Sequence, residues 1–156
     1  MQLSKRSILL AFLFVSPALW AASDPLMGTW KLNVAKSRFV PGPPPQSSIV
    51  AYEPYGKDGF KVTSDTVNAE GKSLHVVYAA EYDAKGYPIT GDPTHDMNYV
   101  KRINLYTHQI VNKKNGKITA TSLRVISKDG KTMSITTKGT NPGGQKVYRV
   151  QVYDKQ

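Results

Sequence analysis

The sequence predicts an all-β fold, an up-and-down antiparallel β-barrel of about 8–10 strands, and two observations support this class. Valine, isoleucine, threonine and tyrosine recur in alternating runs, whereas no window has a convincing helical period. Turn signals such as Asn115-Gly116 and Asp129-Gly130 separate these runs as they do in hairpins. Strands joined by hairpins pair with their sequence neighbours, and closing the meander into a barrel removes both exposed edges.

A two-layer sandwich is the structural alternative. Sandwiches need long connections that cross between sheets, and only residues 35–46 and 91–96 are long enough here. The barrel is therefore favoured, and a barrel of this size encloses either packed side chains or one small ligand.

The candidate strands follow the turn signals along the chain. The first, at 27–34, precedes a proline-rich segment at 41–45, whose fixed φ angles and missing N–H donors favour an extended connection outside the sheet. From residue 46 onward, strand and turn alternate. The remaining candidate strands are 47–54, 59–67, 72–82, 86–90, 97–104, 106–113, 117–127, 131–140 and 146–154.

The N-terminus has the pattern of a secretory signal peptide. Two basic residues precede an apolar run at 8–15, and small residues follow near Ala21. The prediction is a cleaved signal peptide at 1–21 and a single lipocalin-like barrel domain at 22–156, located in the periplasm or secreted. No cysteine follows the apolar run, so a lipoprotein anchor is not expected.

The chain is strongly basic, with 21 lysines and arginines against 11 acidic residues and a net charge of +10. Loss of Lys5 and Arg6 with the signal peptide leaves 19 basic and 11 acidic residues, or +8. This charge indicates an anionic membrane surface or polysaccharide as a partner, although solubility explains it more simply because the lysines fall mostly at turns. An exported protein seldom meets nucleic acid, so no nucleic-acid partner is expected. The protein is expected to be a monomer.

Alternation assigns residues to strand faces. The faces predicted to point inward are aliphatic and aromatic, and they form either a solid core or a cavity lined by tyrosine hydroxyls, which is typical of pockets for amphipathic molecules. The sequence leaves both possibilities open. The predicted inward residues are Phe60, Val62, Leu74, Val76, Tyr78, Ala80, Tyr82, Met97, Tyr99, Lys101, Ile103, Leu105, Met133 and Ile135.

The opening strand carries the motif Gly28-Thr29-Trp30-Lys31-Leu32. Glycine allows another backbone to come close, and Trp30 shares a strand face with Leu32. The motif resembles the opening of the calycins, the lipocalins together with the intracellular fatty-acid-binding proteins. The resemblance implies a barrel whose floor is plugged by Gly28 and Trp30.

The last strand resembles the closing strand of calycins, in which a basic residue packs across the opening tryptophan. Fatty-acid-binding proteins end in an Arg-x-Tyr pair that holds the ligand carboxylate; Tyr153 matches that tyrosine, while Gln151 occupies the arginine position. Arg149 lies two residues earlier on the same face. Three roles stay open for it: it stacks on Trp30 as part of the plug, it takes over anion binding, or it points to solvent.

The chain departs from this family elsewhere. Fatty-acid-binding proteins insert two helices between strands one and two, where this sequence has its proline-rich segment, and lipocalins usually pack a helix after the barrel. The export signal argues against an intracellular lipid carrier. The resemblance is therefore to an exported bacterial lipocalin-like protein.

No catalytic residue, cofactor or metal site is predicted. There is no cysteine, no Gly-x-Ser-x-Gly elbow and no phosphate-binding loop, and the three histidines lack the spacing of metal ligands. Residues 92–96, Asp-Pro-Thr-His-Asp, place two carboxylates and the His95 imidazole in one loop. A metal or a general base would use such groups, but turn formation explains the loop more simply.

These observations predict an exported, non-catalytic binding protein that holds a small hydrophobic or amphipathic ligand in the barrel. The alternative is an interaction or inhibitor module with a solid core, which binds an anionic surface, glycan or protein partner. An enzyme based on the His95 loop is a third hypothesis. The predicted ligand-contacting residues are Tyr78, Tyr82, Tyr99, Arg149 and Tyr153, and the predicted plug residues are Gly28, Trp30 and Arg149.

Overall fold

In the computed structural model, which describes residues 24–156, the chain forms one antiparallel sheet of eleven strands that curls into a nearly closed barrel. The predicted all-β barrel is therefore confirmed. The predicted signal peptide at 1–21 lies outside the described residues. Within 24–156, no helix is long and apolar enough to span a bilayer.

The strands alternate with short turns, and each of the ten predicted strands corresponds to an observed one. The strands are β1 (Gly28–Leu32), β2 (Arg38–Val40), β3 (Ser47–Tyr55), β4 (Gly59–Val67), β5 (Ser73–Glu81), β6 (Asp83–Pro88), β7 (Met97–Asn104), β8 (Thr107–Lys114), β9 (Lys117–Ile126), β10 (Thr132–Thr140) and β11 (Lys146–Lys155).

Hairpin connections place most strands beside their sequence neighbours. The order around the sheet is β5-β4-β3-β1-β11-β10-β9-β8-β7-β6, and β2 also pairs with β11. Strands β1 and β11 are neighbours, with Trp30 opposite Lys155. At the other end of β11, Arg149 lies opposite Phe39 of β2. Trp30 and the proline-rich segment after β2 therefore lie toward opposite ends of the barrel.

The barrel closes between β5 and the segment that follows β6. Val77 and Thr90 exchange two backbone hydrogen bonds of 3.0 and 2.9 Å, and this isolated bridge joins the two free edges of the sheet. The next residue, Gly91, has a φ of +86°, and a Cβ there would overlap the carbonyl oxygen of His75. Closure therefore depends on the backbone of this loop coming close to β5.

The structure also corrects parts of the predicted strand pattern. The short strand β2 was not predicted, and β6 begins three residues earlier than expected, whereas residues 41–45 lie outside the ladder as predicted. The predicted inward face of β7 is wrong, because Tyr99 lies on the outside of the sheet while Asn98 and Val100 are fully buried. Both faces of this strand carry apolar residues, so hydrophobicity alone could not choose between them.

We predict that Gly91→Ala destabilises the barrel more than Gly116→Ala. Both glycines have positive φ angles, +86° and +76°, but nothing lies within 4 Å of a Cβ at position 116. Both substitutions incur backbone strain of about 1–2 kcal/mol, and only the first adds a steric overlap, which we expect to cost at least about 2 kcal/mol more. Urea unfolding of both variants checks this, and equal losses would contradict the closure described above.

Candidate functional site

The barrel holds a cavity of about 570 Å³ rather than a solid core. Its mouth is lined by Phe39 and the proline-rich segment 41–45, and its deepest wall includes Arg124. This volume lies within the range of small-molecule sites. The alternative hypothesis, an interaction module with a solid core, is therefore wrong about the core.

The upper wall of the cavity is rich in hydroxyl groups. Ser48 lies 2.8 Å from Thr66, and Ser122 lies 2.8 Å from Thr137, each pair joined by a hydrogen bond across neighbouring strands. All four residues line the cavity. A molecule near the mouth therefore meets hydrogen-bonding groups on two sides.

The lower part of the cavity is aromatic. Tyr52 and Tyr78 line it, and the buried ring of Phe60, which does not line it, makes edge-to-face contacts with Tyr52 at a centroid distance of 5.7 Å and with Tyr78 at 6.1 Å. Burial raises the pKa of Tyr78, so its hydroxyl stays protonated at neutral pH. Tyr78 is thus available as a hydrogen-bond donor in a largely apolar region.

Arg124 of β9 is the most unusual residue of the cavity, because its side chain is fully buried. Its Nη1 donates to the hydroxyl of Tyr52 and its Nε to Nδ1 of His108, both at 3.3 Å. The guanidinium carbon lies 4.9 Å from the ring centroid of Phe60 and 5.1 Å from that of Tyr52. Arginine cannot lose its charge in a protein, so a cation is held inside the barrel.

No carboxylate neutralises this cation within the described part of the chain, since none of the ion pairs of residues 24–156 includes Arg124. Asp24, at the closed end of the barrel, is already engaged. One of its carboxylate oxygens lies 2.7 Å from Nη2 of Arg102 and accepts a 2.8 Å hydrogen bond from Tyr82. Asp24 therefore compensates Arg102 rather than Arg124.

Buried donors without partners among residues 24–156 include Nη2 of Arg124, which lines the cavity, and Nδ2 of Asn98 and Nε2 of His108, which do not line it. Buried polar groups are nearly always hydrogen-bonded, so unpartnered donors on a cavity wall mark a place where a ligand or water supplies acceptors. On this part of the cavity wall the donors are therefore Nη2 of Arg124, which carries a positive charge, and the hydroxyl of Tyr78.

His108 supports Arg124 without adding charge. Burial and the nearby guanidinium lower the pKa of His108 to about 3, so the imidazole is neutral at physiological pH. Its Nδ1 accepts from Arg124, and its ring stacks on that of Tyr82 at a centroid distance of 4.8 Å. The neutral ring therefore fixes the guanidinium from below while leaving its positive charge uncompensated.

The structure brings together three of the five predicted ligand residues. Tyr78, Tyr153 and Arg149 line the cavity, the last of them exposed at its mouth. Tyr82 lies under the floor, against His108 and Asp24, and Tyr99 lies on the outer surface. The arginine therefore belongs to the same face as Tyr153 rather than pointing away from the cavity.

The plug at the closed end contains a different cation from the predicted one. Trp30 is fully buried and its indole N–H donates 2.8 Å to the carbonyl of Leu26, but the ammonium above the ring, 4.9 Å from its centroid, belongs to Lys155. Arg149 lies six residues earlier on β11, roughly 20 Å away along the strand. Gly28 makes room for Lys155, whose Cε would lie 3.0 Å from a Cβ at position 28.

The loop at 92–96 is held by its own hydrogen bonds. Oδ1 of Asp92 accepts from the backbone and hydroxyl of Thr94 and from the backbone N–H of His95. Nδ1 of His95 lies 2.8 Å from the hydroxyl of Thr119, and burial lowers the pKa of this imidazole. Among residues 24–156, no group of three or more acidic, histidine or cysteine side chains is placed to hold a metal.

Arg124 and Asn98 were not singled out from the sequence. The outward face of β9, with Leu123 and Val125, is more apolar than the inward face, so the alternation misleads there. The hairpin between β9 and β10 could have identified Arg124. Its register places Arg124 opposite Ile135, which was predicted to point inward, and cross-strand partners share a face.

No protein-family model matches this chain, and no curated protein matches it in sequence.

We predict that acidification destabilises the protein through His108. The imidazole has a pKa of about 6.5 in the unfolded chain and about 3 in the barrel. The unfolded state therefore binds the proton more readily below pH 6.5, and stability falls by about 2 kcal/mol between pH 6.5 and 5. Urea unfolding across this range measures the slope. His108→Gln should reduce this slope, and a flat wild-type profile would contradict a buried neutral imidazole.

Proposed function

We propose that this protein is a non-catalytic, lipocalin-like binding protein that holds a small amphipathic molecule with an anionic group in its barrel. The anionic group binds Arg124, and the rest of the molecule lies along the cavity toward the mouth. The observation that carries the proposal is the buried guanidinium that has no carboxylate partner among residues 24–156.

The energetics favour an anion at this position. An uncompensated buried charge costs several kcal/mol, and a charge-assisted hydrogen bond to an incoming anion recovers part of that cost. Nη2 of Arg124 is the free donor for this contact. The hydroxyl of Tyr52, which accepts from Nη1, still has its own proton to donate.

The cavity walls favour an amphipathic ligand over a purely hydrocarbon one. Tyr52, Val62 and Tyr78 provide apolar contact at depth, and the hydroxyl pairs Ser48–Thr66 and Ser122–Thr137 provide polar contact nearer the mouth. The cavity lining outside Arg124 includes Arg149 but also the carboxylates of Glu70 and Asp92, so the preference for an anion depends on Arg124.

Binding of decanoate and decan-1-ol, measured by calorimetry at neutral pH, tests this proposal, because the two probes differ mainly in the charged group. We expect the wild-type protein to bind decanoate roughly 10–100-fold more tightly, as a hydrogen bond to a charged group contributes about 1.5–3 kcal/mol. Arg124→Met should abolish this preference. Because the substitution removes an uncompensated buried charge, the free energy of unfolding of the Arg124→Met variant should equal or exceed that of the wild-type protein.

Arg149→Gln is the matched control, since it removes an arginine from the mouth of the same cavity. We expect only a few-fold loss of decanoate affinity because exposed charges are screened by water. Equal binding of acid and alcohol to the wild-type protein would contradict the proposal. So would a preference for the acid that survives Arg124→Met.

A further inference from the structure

The outer surface of β7, β8 and β9 is unlike the rest of the barrel wall. Five of the eight large apolar side chains exposed on residues 24–156 lie between positions 103 and 125. They include Ile118, with 63% of its surface exposed, and Leu123, with 43%. Apolar exposure is therefore concentrated on three neighbouring strands.

The strand register makes this surface continuous. Cross-strand partners on the outer face form rows about 7 Å apart along the strands. The rows are Lys101–Gln109–Leu123, Tyr99–Val111–Thr121 and Met97–Lys113–Ile118, with Thr107 opposite Val125 beyond the first. We call this surface the β7–β9 face.

The β7–β9 face carries positive charge and no negative charge. Residues 97–128 include five lysines and no acidic residue; of the two arginines in this range, Arg102 is paired with Asp24 and Asp58, and Arg124 lies inside the barrel. Lys101 and Lys113 project from the face, and neither forms an ion pair with another residue of 24–156. The nearest acidic cross-strand neighbour, Asp83 of β6, is paired with Lys85 at 3.0 Å.

A shallow groove of about 300 Å³ runs across the face. Tyr99, Val111 and Ile118 line it between Lys101 and Lys113. The ammonium of Lys113 lies 4.5 Å from the ring centroid of Tyr99. Apolar, aromatic and cationic groups are thus combined within one surface, as they are where proteins meet the interface of a membrane.

The chemistry of the face selects among possible occupants. A second copy of this chain would bring lysines against lysines with no acidic residue on the face to compensate them. An anionic polysaccharide matches the charge but offers little apolar material for Ile118 and Leu123. A bilayer surface with anionic headgroups supplies both phosphate groups and hydrocarbon.

We propose that the β7–β9 face docks this protein on bilayers that contain anionic phospholipid. The lysines lie at the level of the headgroups, and the exposed aliphatic side chains enter the interfacial layer. Since the face is on the outer wall, docking does not require an occupied cavity. Membrane docking by this face is therefore independent of ligand binding at Arg124.

Co-sedimentation with vesicles tests the proposal, using phosphatidylcholine alone and phosphatidylcholine mixed with phosphatidylglycerol. We expect binding only to the mixed vesicles, and weaker binding at high salt because the surface charges are screened. The double variant Lys101→Gln with Lys113→Gln should bind roughly 25-fold more weakly, at about fivefold per lysine. Ile118→Gln with Leu123→Gln should also weaken binding, and thermal melting monitors folding of every variant.

The matched control is Lys31→Gln with Lys61→Gln, which removes the same charge from exposed positions on β1 and β4. It should bind much like the wild-type protein. An equal loss from both lysine pairs would overturn the proposal in favour of non-specific attraction. Equal binding to both kinds of vesicle would also overturn it, as would a dimer in sedimentation velocity that only the face variants dissociate.

Discussion

The interior of this barrel is organised around one buried positive charge. The guanidinium of Arg124 is held by Tyr52 and by a neutral His108, and it is packed against the ring of Phe60. The neighbouring carboxylate, Asp24, is already bound to Arg102. A folded chain tolerates an uncompensated buried cation only at a cost, and sites of this kind are retained where the charge has a use. An anion entering from the mouth is the partner that the remaining space and the free donors favour.

The plug and the mouth of the cavity lie at opposite ends of the barrel. At the closed end, Trp30 is sealed by Lys155 and by the hydrogen bond to Leu26, so the plug needs no residue from the cavity. At the open end, the proline-rich segment lines the mouth. Its backbone cannot extend the sheet, which keeps the opening free of strands. Substitutions near the mouth can therefore change the cavity without affecting the packing of the floor.

Local signals in the sequence were enough to predict the barrel, ten of its eleven strands and the burial of Trp30, Phe60 and Met133. They failed where the side chains on the inside of a strand are polar. In β7 the interior takes Asn98, which accepts from Asn112, while Tyr99 faces outward. In β9 the interior takes Arg124. The prediction assumed that the more apolar face of each strand points inward, and this assumption misses both residues because their polar side chains lie in the barrel interior. The same inversion leaves the apolar side chains of these strands on the outside, where they form the β7–β9 face.

Native mass spectrometry of the protein purified from its own host under non-denaturing conditions tests the central claim most directly. If Arg124 holds an anionic ligand, the wild-type protein should carry a small acidic adduct that is released on denaturation, and Arg124→Met purified in the same way should lack it. A bare mass for the wild-type protein, or an adduct that is equally abundant in both proteins, would contradict the account.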